Sequence, residues 1–317
     1  MNRIQQLSYE KDFYLAFVSA KGDEFQRLFE KLMQKAHQND FMACCPWGNL
    51  GDRKNDGYLS STRTLFQCYA PNELEAKKTI KKIHEDFQGA LKYWREDFDE
   101  WAFVHNAPSG RLAPTIIKTL LELRQQNPGL KISHYGYEEM LTRFRQLSLQ
   151  DLESWFGPSL TMEANVNLSY SDLKLVLDHI NTMAEPKASE VKDVSPGKIE
   201  ANLLSPIVAA FLKIGMPKSL LVREFFEAWR DPTYGERIAS AFKTQYLTLR
   251  ESTPPLLPDL IFGQLEAWAG GTANTSPQHK AAVLAVMAYL FEECEIFEDA
   301  QATLGAPKQG YQYDLAI

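Results

Sequence analysis

The sequence predicts an α+β protein: a mixed β-sheet flanked by helices, then an all-α half. Three observations carry this. From about residue 20 to 145, short β-favouring runs alternate with stretches of helical period. Beyond about residue 150 the apolar spacing is helical throughout. The 317 residues also suffice for two domains of ordinary size. The predicted domains are 1–150 and 151–317, with a polar, Pro-containing linker near 184–198 (AEPKASEVKDVSPGK).

The elements follow in order. EKDFYLAFVSA leads into a helix that starts near Gly22, because Phe25, Leu28, Phe29 and Leu32 recur at helical spacing. DFMACCPWG, residues 40–48, is a short apolar strand closed by Pro46 and Gly48. The charged turn GDRKNDG separates it from a second strand, TLFQCYA, at 64–70. Asn72 caps the next helix, with Glu73 and Glu75 in its first turn, and that helix runs through KKTIKK to FQGALKYW. WAFVHN, 101–106, is a strand ended by the turn signal NAPSG, and residues 112–126 are a helix stopped by NPG. KISHYGY is a short strand and YEEMLTRFRQL the closing helix. In the second half, KIEANLLSPIVAAFLKIGM, SLLVREFFEAWR, TYGERIASAFKTQYLTLRE and HKAAVLAVMAYLFEECEIF are all helical, and ATLGAPKQGYQYDLAI is a tail.

Composition narrows the function classes. Hydrophobic residues make up 44% and charged residues 24%, as in an ordinary globular chain. No run of about 18 apolar residues occurs, so no membrane span is expected. The N-terminus lacks the pattern of a signal peptide, which predicts a cytoplasmic protein. The net charge of −7 argues against a globally basic nucleic-acid binder but leaves room for a local basic face. Cys44, Cys45, Cys68 and Cys294 form no CxxC pair and are expected to be reduced thiols. GxxxxGKS, GxGxxG, GxSxG and HxxxH are missing, so nucleotide binding by those loops and the serine-elbow chemistry are not expected. His105 and His134 fall at strand ends and are taken as structural.

One constellation suits metal-assisted phosphodiester hydrolysis, which needs two or three oxygen ligands for a hard cation and a nearby cation to offset charge. The first helix offers Glu24 or Gln26, and the turn offers Asp52 and Asp56. The strand after it offers Gln67 and Tyr69, two apart and therefore on one face. Each of these also has a plainer role, the aspartates as turn formers and Gln67 as a core amide.

The order helix acid, Asp, then Gln-x-Tyr resembles the PD-(D/E)xK nucleases, in particular their Mrr-like branch, where Gln is frequent at the third position. The strings PWGNLGDRKNDGY, FQCYAPNE, HEDFQGALKYW and WAFVHN resemble the nuclease effector of bacterial ABC-three-component, Lamassu-type anti-phage systems over about residues 10–145. KIEANLLSPIVAAFLKIGMPKSLLVREFFEAW and RIASAFKTQYLTLR resemble the helical domain that accompanies such effectors. The resemblance implies a restriction-endonuclease-like fold acting on double-stranded DNA with Mg²⁺ (or Mn²⁺). It also implies an SMC-like or ABC-type ATPase partner, a small third subunit in many systems, and a homo-oligomer when active. Asp56 matches the central metal acid and Gln67 the next ligand, and Glu24 is favoured on the helix. The lysine expected two residues after Gln67 is replaced by Tyr69. That role passes to Lys82, with Lys81 and Lys54 as alternates, while Lys77 and Lys78 could meet phosphates. The missing lysine leaves a second expectation open: an inactive nuclease fold used for DNA binding or assembly.

Overall fold

The computed structural model describes residues 1–44, 55–107, 110–183, 198–271, 275–293 and 296–297. The chain divides into two compact units, Phe13–Leu152, and Met1–Asp12 together with Glu153–Ile317. The expected linker at 184–198 (all but Lys198) and the tail lie outside the described residues.

The unit Phe13–Leu152 is built on a five-stranded sheet. Its strands are β1 (Phe41–Ala43), β2 (Gly57–Leu59), β3 (Thr64–Tyr69), β4 (Glu100–His105) and β5 (Lys131–Tyr135), adjacent in chain order. β1, β2 and β3 run antiparallel, whereas β3, β4 and β5 are parallel. Parallel neighbours need a crossover, and α3 (Ala76–Trp94) and α4 (Pro114–Gln126) supply the two. Crossovers of one hand put both helices on one face. Ile83 and Phe87 of α3 and Ile116 and Leu120 of α4 accordingly share a core with Leu65, Trp101, Phe103 and Ile132. Every residue of β4 is buried, as expected of a central parallel strand.

Side chains alternate along β3, so Phe66 points away from that core. On its side, α2 (Gly22–His37) brings Phe29 to 5.2 Å from the Phe66 ring, and Tyr135 meets Phe66 edge-on at the same separation. α5 (Tyr137–Phe144) adds Phe144, stacked on Phe13 at 4.3 Å.

α3 begins at Ala76 with Glu75 at its N-cap, so Asn72 does not cap it and Glu73 lies before its first turn. Two further elements differ from the sequence expectation. The first is α1 (Arg3–Ser19), which precedes the Gly22 helix. Tyr9, Phe13 and Phe17 are all fully buried, but Leu7, Tyr14, Leu15 and Val18 fill the intervening positions and leave no amphipathic stripe. The second is β2, which at three residues is too short to show a period. It also explains a glycine. A Cβ on Gly57 would lie 2.4 Å from Cζ of Phe41, whose ring is itself held by Phe29 and Phe66. Gly57→Ala is therefore expected to destabilise the unit by about 1–3 kcal/mol in urea unfolding. Adding Phe41→Leu should recover most of that loss; no recovery would place the strain elsewhere.

In the other unit the organising element is α14 (Pro277–Glu292). Ala281 through Ala288 are all buried, so this helix is apolar on every side and belongs at the centre of a helical domain. Its neighbours include α8 (Tyr170–Met183), α10 (Pro206–Gly215), α11 (Ser219–Ala228) and α13 (Pro258–Trp268). The start of α14 is set by Ser276, whose Oγ accepts the His279 N–H at 3.2 Å, followed by Pro277 at a position where no N–H is needed.

Candidate functional site

The hairpin β2–β3 assembles the candidate site. Asn55 Oδ1 accepts the Gly57 N–H at 2.9 Å and fixes the entry to β2. The Asp56 N–H donates to Phe66 O at 2.9 Å, while Gly57 is the register partner of Phe66. Two residues thus oppose one, the arrangement of a β-bulge, which re-aims a side chain at the strand end. The Asp56 carboxylate accepts two hydrogen bonds on Oδ2, from Gln67 Nε2 and from the Cys68 N–H, both at 2.6 Å. Asp56 and Gln67 are 3% and 4% exposed, so the carboxylate is held in the interior by charge-assisted bonds. Gln67 Oε1 is buried and has no hydrogen-bond partner among the described residues.

The Cys68 thiol reports on what surrounds it. Burial pushes it well above its usual range, and the negative charges of Asp56 and then Glu30 push it further. Cys68 is thus a protonated thiol, not a nucleophile. Glu30, on α2, accepts a hydrogen bond from Gln26 Nε2 at 2.8 Å, one turn away on the same helix face. The structure therefore brings together Asp56, Gln67 and Cys68, with Glu30 near enough to act on the thiol and Gln26 behind it.

The remaining candidates lie elsewhere or are occupied. Glu24 is exposed in the first turn of α2, and no described contact joins either it or Glu30 to Asp56 or Gln67; Glu30 is the acid of α2 whose charge acts on the Cys68 thiol. The sequence carries a signal for it: Phe29-Glu30 repeats the pairing of a phenylalanine with a polar residue seen at Phe25-Gln26. Tyr69 lies 6.2 Å from the Phe103 ring and packs onto the α3–α4 core. Lys82 is paired with the buried Asp86 at 2.8 Å and Lys81 with Glu85 at 3.7 Å, so neither is directed to Asp56. Lys77 and Lys78 are exposed, Lys78 in a pair with Glu75. Asp52 and Lys54 fall outside the described residues. Lys21 was not anticipated. Its neighbour Gly22 donates to Ala70 O at 2.7 Å, which sets Lys21 beside the end of β3, and burial lowers its pKa.

His105, at the end of β4, is held in the interior. Its ring is fully buried, burial brings its pKa down to about 3, and Nδ1 accepts the Ala107 N–H at 3.2 Å. Among the described residues no three His, Cys, Asp or Glu side chains form a metal cage. The oxygen donors at the hairpin are the Asp56 carboxylate and the Gln67 amide, ligand types that suit a hard cation keeping part of its water.

Residues 171–298 match the model of CTD10, the C-terminal domain 10 of the ABC-three component (ABC-3C) systems. This ABC-3C match runs from α8 past α14, across most of the helical unit, and supports placing the chain in such a defence system. It does not extend to the β2–β3 hairpin. Neither a curated protein nor a solved structure matches the chain. Among the described residues no helix is long and apolar enough to cross a membrane.

Proposed function

We propose that the chain is a metal-dependent endonuclease for double-stranded DNA, the effector of an ABC-three component anti-phage complex that includes an SMC/ABC-type ATPase. One observation carries the nuclease part. A buried carboxylate, Asp56, is joined to a strand amide, Gln67, whose oxygen has no partner among the described residues, and the charge of a helix acid, Glu30, acts on the adjoining Cys68 thiol. Buried polar atoms are rarely left without a partner, and a hard cation such as Mg²⁺ or Mn²⁺ takes an amide oxygen as a ligand beside the stronger carboxylates. When bound, the cation supplies Lewis-acid polarisation and an activated water. Asp56 and Gln67 hold it, Glu30 completes the set, and Gln26 orients Glu30. Lys21, beside the end of β3, takes the charge-offsetting role that Tyr69 cannot fill. Lys77 and Lys78 provide exposed positive charge for phosphates on α3. The ABC-3C match supports the setting, a multicomponent complex with an ATPase.

One observation favours a second reading. Tyr69 stands two residues after Gln67 and is packed against Phe103, so an inactive nuclease fold used for DNA binding or assembly would look the same at β3.

The test is cleavage of linear and supercoiled DNA with Mg²⁺, Mn²⁺ or EDTA, by the purified chain and by its complex with the ATPase. Glu30→Gln is expected to lower metal-dependent cleavage about 100-fold, and Glu24→Gln to change it by less than about twofold. The reverse ranking would return the helix ligand to Glu24. An inactive wild-type complex would favour the assembly subunit.

A further inference from the structure

A second built feature lies in the helical unit, far from any role in the hairpin chemistry. It is a cavity of about 190 Å³ lined by Ser8, Lys11 and Asp12 of α1, Glu266 of α13, Lys280 of α14 and Gly271 between those two helices, with Phe156 as an apolar wall. Lys11, Glu266 and Lys280 are 2%, 7% and 6% exposed, so three charged groups are nine-tenths buried around one space. Burying charge costs free energy unless each group is compensated. Lys11 is compensated: it pairs with Glu266 and, at 3.0 Å, with Asp12 Oδ1, and sits over the Phe211 ring. Lys280 is compensated less directly. Among the described residues its hydrogen bond goes to a neutral group, Pro158 O at 2.6 Å, and burial lowers its pKa against the opposing charges of Asp12 and Glu266. An ammonium has three donors, so two remain for whatever fills the space. Ser8 Oγ accepts from the Leu160 N–H at 3.3 Å, and no described acceptor takes its O–H. On the acceptor side, Asp12 Oδ2 and Glu266 Oε1 have no hydrogen bond among the described residues.

The cavity therefore offers free donors at one set of groups and free acceptors at another, with two ammonium and two carboxylate groups balancing in charge. Charge balance decides the class of occupant. A free anion or cation would leave a net buried charge, whereas a zwitterion leaves none. The volume corresponds to about six waters at ~30 Å³ each, room for a small molecule but not for a nucleotide. We propose that the cavity binds a free α-amino acid. Its carboxylate is taken by Lys280 and Ser8, its ammonium by Asp12 and Glu266, and its side chain lies against Phe156. Gly271 keeps the space open: a Cβ there would come within 2.8 Å of Glu266 Cγ and 2.9 Å of Glu266 O.

The experiment is a thermal-shift screen of the full chain with each of the twenty amino acids, beside sodium acetate and ethylammonium chloride, which each carry only half of the zwitterion. No DNA or metal is present, so the outcome is separate from that of the nuclease reading. At least one amino acid is expected to raise Tm by about 3 °C or more at ten times its Kd, with acetate and ethylammonium giving less than half of that. The shift should vanish in Lys280→Met and Gly271→Ala, and shrink in the milder Ser8→Ala. If no amino acid moves the wild-type Tm, the cavity holds water only and the proposal is overturned. It is equally overturned if the shift persists in folded Lys280→Met and Gly271→Ala, or if acetate alone reproduces it.

Discussion

Asp56→Asn is expected to abolish metal-dependent DNA cleavage, lowering it by at least about 10³-fold, while leaving the fold in place. The argument rests on what the carboxylate does in the hairpin. It satisfies two buried donors, Gln67 Nε2 and the Cys68 N–H, through one oxygen. Asparagine keeps the shape and an acceptor oxygen, so the Cys68 bond can persist and the loss of stability should stay within about 1–2 kcal/mol. What it removes is the charge, and with it the strongest ligand for a hard cation. Asp56→Ala is the less informative change, because it also strands two buried donors at about 1–3 kcal/mol each. Cleavage measured at saturating Mg²⁺ and again with Mn²⁺ separates lost affinity from lost chemistry. Cleavage by Asp56→Asn within about tenfold of wild type would remove Asp56 from the metal site. The adjoining thiol gives an independent readout. Asp56 holds the Cys68 pKa up, so replacing the charge with an amide should lower that pKa and speed alkylation at alkaline pH.

How much of this was legible in the sequence depended on element length and on contacts across the sheet. β3 and β4 stood out because each is an apolar run with turn signals beside it, and β5 as a short run between NPG and Gly136. The helices between them showed a clear amphipathic period. β2 was hidden because three residues carry no period, and with it the bulge that aims Asp56. α1 was hidden for the opposite reason, since apolar residues occupy several of its faces. The pairing of Asp56 with Gln67 came from the resemblance, and the hairpin that brings them together became visible only with β2. Glu30 and Lys21 were not legible, because their positions follow from how α2 lies along β3, and a helix can be laid on a strand in more than one register. Lys81 and Lys82 looked available as a charged helix face; the structure shows each facing an acid four residues on.

The largest expected effect on stability is at Lys198. Its side chain reaches the C-terminal end of α14, where Nζ donates to Phe291 O at 2.7 Å and, just beyond the helix, to Ile296 O at 2.8 Å, and lies over the Phe291 ring. The last carbonyls of a helix have no partner within it, and they carry the negative end of its dipole. An ammonium that is 3% exposed therefore serves as both hydrogen-bond cap and counter-charge for the most buried helix of the domain. Lys198→Met keeps the length and the apolar stem but supplies no donor, so two interior carbonyls lose their partner. The expected cost is about 3 kcal/mol, a fall in Tm near ~10 °C for a unit of this size. Lys198→Arg retains donors and should lose less than half as much. A Tm within about 2 °C of wild type for Lys198→Met would show that the end of α14 is satisfied by other groups. Because α14 lies inside the ABC-3C match, this variant also separates the two halves functionally. If the helical domain docks on the ATPase, Lys198→Met should lose the partner at temperatures where the β2–β3 hairpin remains folded. Asp56→Asn should keep the partner and lose only the cleavage.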